Sequence, residues 1–194
     1  MRVQMRVKIR LLTELLGTVA MDKKLFETYT ASKKPETVTE DESINIDNAN
    51  KIELQGWTGF MKDENGLFIY EYMIKGFLKD AGNVLKDILK IKGLRSKINN
   101  YVFIAPRRIY LGQQEPDDVL ERPLRGMTPQ GPIVTLVRSD LIKAGKEIEF
   151  EITLLQHKEV KEETLKTLLE HGLLMGLGQW RNGGYGRFEV IEYS

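Results

Sequence analysis

The N-terminal residues alternate strictly between hydrophobic and polar positions. The apolar positions between residues 2 and 12 are Val3, Met5, Val7, Ile9 and Leu11. The positions between them carry basic or amide side chains. A period of two is typical of a β-strand with one buried face. The same alternation recurs over residues 148–154, where the polar positions are mostly glutamates, so both segments are predicted to be half-buried strands.

Two other segments repeat their apolar residues at helical spacing. The first contains Ile74, Phe77, Leu78, Ala81, Leu85, Ile88 and Leu89, and Gly93 is expected to end it. The second covers residues 161–175 and places Leu165, Leu168, Leu169 and Leu173 on one face. Spacings of three and four residues predict amphipathic helices.

Two further strands complete the pattern. Residues 101–111 are predicted to be extended, with Pro106 marking an edge or a bulge, and a terminal strand is predicted from about residue 187 to residue 193. The resulting order is strand, helix, strand, excursion, strand, helix, strand. This order predicts an α+β, ferredoxin-like βαββαβ fold.

In this arrangement the first strand is expected to lie beside the third and the last. Parallel pairing of the first and third strands would set the basic face of residues 2–10 near the acidic face of residues 147–151. Opposite charges across neighbouring strands stabilise a sheet modestly. Such a charge ladder leaves no room for bases to stack on the open face, and the aromatic pair of RNA-recognition motifs is missing there.

The 194 residues are predicted to form a single domain, residues 1–194, with two insertions. Residues 32–62 are rich in polar side chains and are predicted to be a solvated insertion. Residues 112–132 are rich in glycine, proline and charge and form a long excursion, which residues 133–137 are expected to close as a returning strand. Two shorter elements are also predicted, a helix over residues 22–29 and an extended piece over residues 67–72.

Composition narrows the possible functions. The net charge is +1, so a nucleic-acid site would have to be a local basic patch. The absence of cysteine excludes disulfides and thiolate zinc sites. The sequence has no apolar run of transmembrane length and no secretory signal pattern, which favours a soluble cytoplasmic protein without a membrane partner. No cofactor and no metal are expected, since the acidic pairs lack metal-ligand spacing.

The densest chemical signal lies in residues 176–188, between a helix pattern and a strand pattern. This segment is called the glycine loop below. Its candidate nucleic-acid-binding residues are Gly176, Gly178, Trp180, Arg181, Asn182, Gly183, Gly184, Tyr185, Gly186 and Arg187. Glycine lets a backbone approach a ligand closely, successive N–H groups can bind an anion, and arginine binds phosphate. The alternative is a tight helix-to-strand connection in which the aromatic rings pack on the core.

Two further groups of residues are candidates for phosphate contacts. Lys75, Gly76 and Lys79 are expected near the N-terminus of the first helix, where free N–H groups favour anions. The arginines of the excursion and the strand before it could clamp a backbone: Arg107, Arg108, Arg122 and Arg125. In the alternative, the lysines are solvated, and Arg122 and Arg125 pair with the nearby carboxylates Asp117, Asp118 and Glu121.

Three segments resemble the RAMP superfamily, the ferredoxin-like proteins of CRISPR ribonucleoprotein complexes. Residues 11–18 are similar to the turn that follows the family's first strand, with Glu14 where proline is common. Residues 63–66 and 73–80 partly match the segment that leads into the family's first helix. The glycine loop is similar to the family's best-known signature. The resemblance implies a subunit that coats RNA, with residues 112–132 as a thumb-like hairpin, and it extends to uncharacterised phage and prophage proteins with the same ending.

The resemblance favours a non-catalytic protein that binds single-stranded RNA or DNA, assembles head-to-tail as a homo-oligomer, and works with CRISPR or phage recombination proteins. Two alternatives stay open. The first is a metal-independent endoribonuclease, whose acid or base would be His157 or, closer to the glycine loop, His171. The second is a protein-assembly or anti-CRISPR interaction module that binds no nucleic acid.

Overall fold

The structure of the protein, a computed structural model, describes residues 2–21, 56–128, 131–155 and 157–194. The short helix predicted over residues 22–29 and most of the polar insertion lie outside the described residues. At its C-terminal end the insertion contains Trp57–Gly59 and the start of Met61–Asp63, which form two strands.

The described chain contains twelve strands and three α-helices. The strands are β1 (Arg2–Leu11), β2 (Leu15–Leu16), β3 (Val19–Ala20), β4 (Trp57–Gly59), β5 (Met61–Asp63), β6 (Gly66–Tyr70), β7 (Val102–Ala105), β8 (Arg108–Tyr110), β9 (Asp118–Thr128), β10 (Gly131–Ile142), β11 (Glu147–Leu155) and β12 (Phe188–Tyr193). The helices are α1 (Glu71–Leu85), α2 (Leu94–Tyr101) and α3 (Glu162–Glu170).

Four strands form the main sheet in the order β12-β1-β11-β7. They correspond to the four principal strands predicted from the sequence, and β1 lies between β11 and β12 as expected. The predicted parallel pairing of β1 with β11 is wrong, since every pair in this sheet is antiparallel. The chain reverses its direction between β7 and β11, so β11 runs antiparallel to both β7 and β1.

The charge ladder survives this reversal because the same residues still face one another. In the register Arg6 lies opposite Glu151, Lys8 opposite Glu149 and Arg10 opposite Glu147. The shortest ion pair of this ladder joins Arg10 Nη2 to Glu147 Oε1 at 2.9 Å. These exposed pairs fill the open face of the sheet and contribute little stability individually.

The opposite face of the sheet is buried under α1 and α3. Alternate residues of β1 and β11 point inward, and the helices supply Ile74, Phe77, Leu78, Ala81, Leu165, Leu168 and Leu169. The Phe77 and Phe188 rings meet edge to face at 4.9 Å, which joins α1 to the last strand. The first helix ends at Leu85 rather than near Gly93. A second helix that the sequence did not predict, α2, starts directly after Gly93, whose backbone is in the left-handed conformation.

The excursion between β7 and β11 forms a long hairpin. Strands β9 and β10 pair from Asp118–Leu141 to Thr128–Gly131, so the hairpin reaches further along the chain than residues 112–132. The edge of β10 that faces away from β9 pairs antiparallel with β2 and parallel with β4. These contacts tie the base of the hairpin to the turn after β1 and produce a second sheet.

A third sheet has the order β5-β6-β8 and leads directly into α1. The predicted strand over residues 101–111 is therefore two strands in different sheets, β7 and β8, separated at Pro106. Strand β7 lies at the edge of the main sheet, as a proline at its end favours.

Candidate nucleic-acid interface

The glycine loop is docked tightly onto the turn that follows β1. Its backbone N–H groups at Gly186 and Arg187 donate to Glu14 O at 2.7 Å and Thr13 Oγ1 at 2.9 Å. Gly183 and Gly184 donate to carbonyl groups within the loop. Four of the N–H groups that were expected to face an anion are therefore used inside the protein. These contacts give the loop the connecting role that the sequence analysis offered as the alternative.

Close packing explains several of the glycines. A β-carbon on Gly176 would overlap Tyr185 O, and one on Gly186 would overlap Leu177 O. A β-carbon on Gly183 would come within 2.8 Å of the Trp180 indole. Gly184 differs, since its nearest neighbour would be the Arg187 guanidinium at 3.8 Å.

Three side chains form a stack where the glycine loop meets the hairpin. The Trp180 and Tyr185 rings are nearly parallel, at 14° and 5.1 Å between centroids. The Arg122 guanidinium lies 4.6 Å from the centre of the Trp180 ring, a cation–π geometry. This contact brings together two residues that the sequence separates by more than fifty positions.

Arg122 is the charged member of this stack, and its surroundings are unusual for an arginine. The residue is only 6% exposed, its Nη1 donates to Ser139 Oγ at 3.3 Å, and its Nε–H has no acceptor among the described residues. No carboxylate of the described part lies within ion-pair distance, so the suggested pairing with Asp117, Asp118 or Glu121 is not formed. Burial lowers the pKa of the Arg122 guanidinium, and the nearby Tyr185 phenol acts in the opposite direction.

Three polar side chains beside Arg122 hold the loop, the hairpin and β4 together. Gln179 Oε1 accepts hydrogen bonds from Thr58 Oγ1 at 2.9 Å and from Ser139 Oγ at 3.1 Å. The two hydroxyl oxygens are themselves 2.8 Å apart. The network fixes the position of residue 179, directly before Trp180, which adopts a left-handed φ of 53°.

Arg181 connects the glycine loop to α1. Its Nη1 lies 3.1 Å from Asp80 Oδ2, and Arg95 Nη1 of α2 lies 2.5 Å from Asp80 Oδ1. Burial raises the pKa of Asp80, but hydrogen bonds from Arg95 and Arg181 outweigh this effect and leave the pKa below its usual value. One carboxylate therefore faces two guanidinium groups, and this cluster keeps a net positive charge.

Arg187 and Asn182 are exposed on the same loop. The described residues place no carboxylate within ion-pair distance of Arg187. The surroundings of the glycine loop are therefore more basic than the average surface of a protein with a net charge of +1. The positive charge comes from Arg187, Arg122 and the two arginines that share Asp80.

The helix candidates are placed differently from the prediction. Helix α1 starts at Glu71, so Lys75 and Gly76 lie in its second turn and not at its N-terminus. Lys75 Nζ donates to the carbonyl groups of Asn99 and Val102 at the end of α2. Burial, and to a lesser degree the charge of Lys79, lower the pKa of Lys75. Lys75 is thus committed to a helix end, while Lys79 is half-buried beside Asp80.

The excursion arginines do not form one cluster. Arg107 lies 6.0 Å from the Tyr70 ring, and Arg108 pairs with Asp63 at 2.7 Å in the third sheet. Arg122 instead lies in the stack with Trp180. Arg125 belongs to β9, and its side chain lies outside the described part of the structure.

The two histidines lie at opposite ends of the segment that contains α3. His157 Nδ1 accepts the Glu159 N–H at 3.2 Å, and its ring packs on Tyr101. His171 opens a 3-10 turn between α3 and the glycine loop. Within the described residues no cluster of side chains could hold a metal ion, and no helix is long and apolar enough to cross a membrane.

Sequence reasoning missed Thr58, Asp80, Ser139 and Gln179, which position the glycine loop. None of them carries a local motif, because each acts through at least one partner that is 40 or more positions away in the chain. The one available signal was Gln179 within the glycine loop, a polar residue between Gly178 and Trp180.

Asp140 provides a pH-dependent prediction at the base of the hairpin. It is 7% exposed and accepts the Trp57 Nε1–H at 2.8 Å. Burial raises its pKa, partly offset by the hydrogen bond from Trp57, and Glu115 adds to the rise. The pKa of Asp140 is therefore higher in the folded than in the unfolded protein. Its contribution to stability is fully present below about pH 4 and is lost as the pH rises through the folded pKa.

We therefore expect Asp140→Asn, which keeps an oxygen for Trp57, to be more stable than the native protein at pH 7. The two proteins should have similar stability near pH 3.5, where both side chains are neutral. Urea denaturation at the two pH values measures this difference. A less stable variant at pH 7 would show that the ionised carboxylate is favoured in the folded protein.

Comparison with solved structures identifies a similar architecture. A chain in the cryo-EM structure of the type III-B Cmr-beta bound to cognate target RNA aligns over 100% of this chain, with a TM-score of 0.55 and 14% sequence identity. The chain has an α+β, ferredoxin-like fold, as predicted. It spans 60% of the length of the chain that it resembles, and at this identity the similarity establishes the fold alone. No protein-family model matches the chain, and no curated protein matches it.

Proposed function

We propose that the protein binds single-stranded RNA or DNA through the sugar–phosphate backbone, without cleaving it. The binding surface consists of the glycine loop, the base of the β9–β10 hairpin and the neighbouring part of α1. The observation that carries the proposal is the excess of guanidinium groups there: Arg122 and Arg187 lack carboxylate partners among the described residues, and Arg95 and Arg181 share Asp80.

The chemistry of this surface suits phosphate more than bases. The exposed Arg187 offers a planar pair of donors for phosphate oxygens. The Arg122 guanidinium is buried against Trp180 and adds positive charge beneath this surface. Contacts to the backbone carry no sequence information, so discrimination between sequences should be weak. The fold is shared with a chain of an RNA-bound assembly, which favours RNA as the first ligand to test.

Assembly is part of the same proposal. A head-to-tail repeat along the strand would be a heterologous contact, which produces open filaments or rings. CRISPR or phage recombination proteins would be its partners, and a phage or prophage would be its source. The resemblance of the glycine loop to RAMP proteins supports this setting.

Fluorescence anisotropy with labelled single-stranded RNA, single-stranded DNA and duplex DNA over a salt series tests the proposal. We expect single strands to bind and their affinity to fall steeply with salt as counterions are released. Arg187→Gln should weaken binding about tenfold and lower the salt slope by about one. The strand should be recovered intact.

Arg6→Gln is the matched control, because Arg6 is exposed but already paired with Glu149 at 3.3 Å in the charge ladder. It should leave binding unchanged. Absence of binding to all three ligands at low salt would contradict the proposal and favour a protein-assembly module. Strand cleavage that persists in a chelator and is lost in His171→Ala would instead favour an endoribonuclease.

A further inference from the structure

The third sheet and the start of α1 carry a row of aromatic side chains that does not include the glycine loop. The Tyr70 and Tyr72 rings are stacked at 20° and 5.3 Å. The Phe68 ring meets Tyr70 edge to face at 5.3 Å and Tyr110 at 5.8 Å. The row therefore runs from the buried Phe68 outward to Tyr72, which is 59% exposed.

Arg107 lies beside this row without a counterion. Its guanidinium is exposed, lies 6.0 Å from the Tyr70 ring, and has no carboxylate within ion-pair distance among the described residues. Arg108, the next residue, is neutralised by Asp63. An exposed aromatic stack with an adjacent free guanidinium combines the two elements that single-strand-binding proteins use, a stacking surface and a cation for the backbone.

Gly76 leaves the space next to Tyr72 open. It lies four residues after Tyr72 in α1, and a β-carbon there would meet nothing within 4 Å. A helical side chain covers the turn that precedes it, so a larger residue at position 76 would extend toward the Tyr72 ring. Glycine in a helix interior is unfavourable, and neither a positive φ nor a close contact requires it here.

We propose that Tyr72 is a stacking platform for an unpaired nucleobase, and that Arg107 contacts the adjoining phosphate. This inference rests on the proposed function, since the base belongs to the strand held at the glycine loop. A base on Tyr72 would add a third ring to the Tyr70–Tyr72 stack. Every base has a π-face, so this contact is tolerant of sequence.

The structure favours a base over a protein side chain at this position. The outer member of the stack is a flat ring that the helix leaves uncovered, and the exposed Arg107 guanidinium lies beside the same stack. The neighbouring Glu71 carboxylate has its Oε2 buried away from solvent. Burial, together with Tyr70 and Glu71, raises the pKa of Tyr72. The phenol is therefore neutral at physiological pH and does not repel phosphate.

The experiment compares a base-bearing single strand with an abasic strand of the same length and charge. The native protein should prefer the base-bearing strand. Tyr72→Ala should bind that strand about tenfold more weakly and the abasic strand equally well. Tyr72→Phe keeps the ring and should behave like the native protein.

A second pair of variants separates stacking from folding. Gly76→Leu should cover the ring and reduce binding of the base-bearing strand about as much as Tyr72→Ala does, with no loss of thermal stability. Gly76→Ala should raise the thermal midpoint, because alanine favours helix, and leave binding unchanged.

The outcomes distinguish this inference from the proposed function. If the native protein binds neither strand, both fail. If it binds both strands with equal affinity and Tyr72→Ala changes neither, the phosphate surface stands and the stacking platform is wrong. If Tyr72→Ala leaves strand binding intact but abolishes self-association, the row of aromatic side chains is a protein interface and the platform is likewise wrong.

Discussion

Replacing Gly186 by alanine should lower the thermal midpoint by roughly 10 °C. Gly186 has a φ of +72°, and a β-carbon there would overlap the carbonyl oxygen of Leu177. The left-handed backbone costs a non-glycine residue about 1–2 kcal/mol, and forced overlap in a packed region costs about 1–3 kcal/mol more. For a chain of this size each kcal/mol corresponds to about 2–4 °C.

Gly184→Ala is the matched control for this prediction. Gly184 also has a positive φ, of +87°, but its β-carbon would have 3.8 Å of clearance. Only the backbone cost applies, so the midpoint should fall by about 4 °C. Differential scanning calorimetry of the two variants separates strain from overlap. Equal losses in both would show that Leu177 moves aside and that the loop is not as tightly docked as its contacts indicate.

The main sheet could be predicted from the sequence because its information is local. Alternation over β1 and β11 sets which residues are buried, and Val7 and Phe150 are indeed in the core. The direction of pairing is not local. A parallel or an antiparallel partner gives the same alternation, and the matching charges of Arg10 and Glu147 fit both.

Helix boundaries were less predictable. The apolar spacing of α1 continues through Ile88 and Leu89, although the helix ends at Leu85. Leu94 and Ile98 of α2 repeat at i and i+4 and are fully buried. This short pattern follows a glycine in a left-handed conformation and was a usable signal for a second helix.

The arrangement of the candidate site could not be predicted from the sequence. The glycine loop has the composition of a binding loop, and its Arg187 is exposed as a contact residue must be. Arg122 was expected on an exposed hairpin, yet Trp180 and Ser139 cover it. Burial of an arginine by an aromatic residue from a distant loop depends on tertiary packing, which no local pattern records.

Arg122→Met should raise the thermal stability of the protein and weaken its binding of single-stranded RNA. The guanidinium is buried without a carboxylate among the described residues, and its Nε–H lacks an acceptor. Removing such a group relieves a desolvation cost of about 1–2 kcal/mol, or about 4 °C in thermal midpoint. Methionine has a similar length and keeps a favourable contact with the Trp180 ring. Binding of single-stranded RNA should weaken up to about tenfold, because a positive charge beneath the phosphate-binding surface is lost.

Arg138→Met provides the comparison, since Arg138 lies on the same hairpin but pairs with Glu121 at 2.7 Å. A partly exposed ion pair contributes about 0–1 kcal/mol, so this variant should be slightly less stable. Because Glu121 already neutralises Arg138, its loss should weaken strand binding less than Arg122→Met does. Thermal denaturation and anisotropy on the same preparations give both quantities. A destabilised Arg122→Met variant would mean that the cation–π contact outweighs the desolvation cost, and that Arg122 belongs to the structural support of the loop rather than to the phosphate surface.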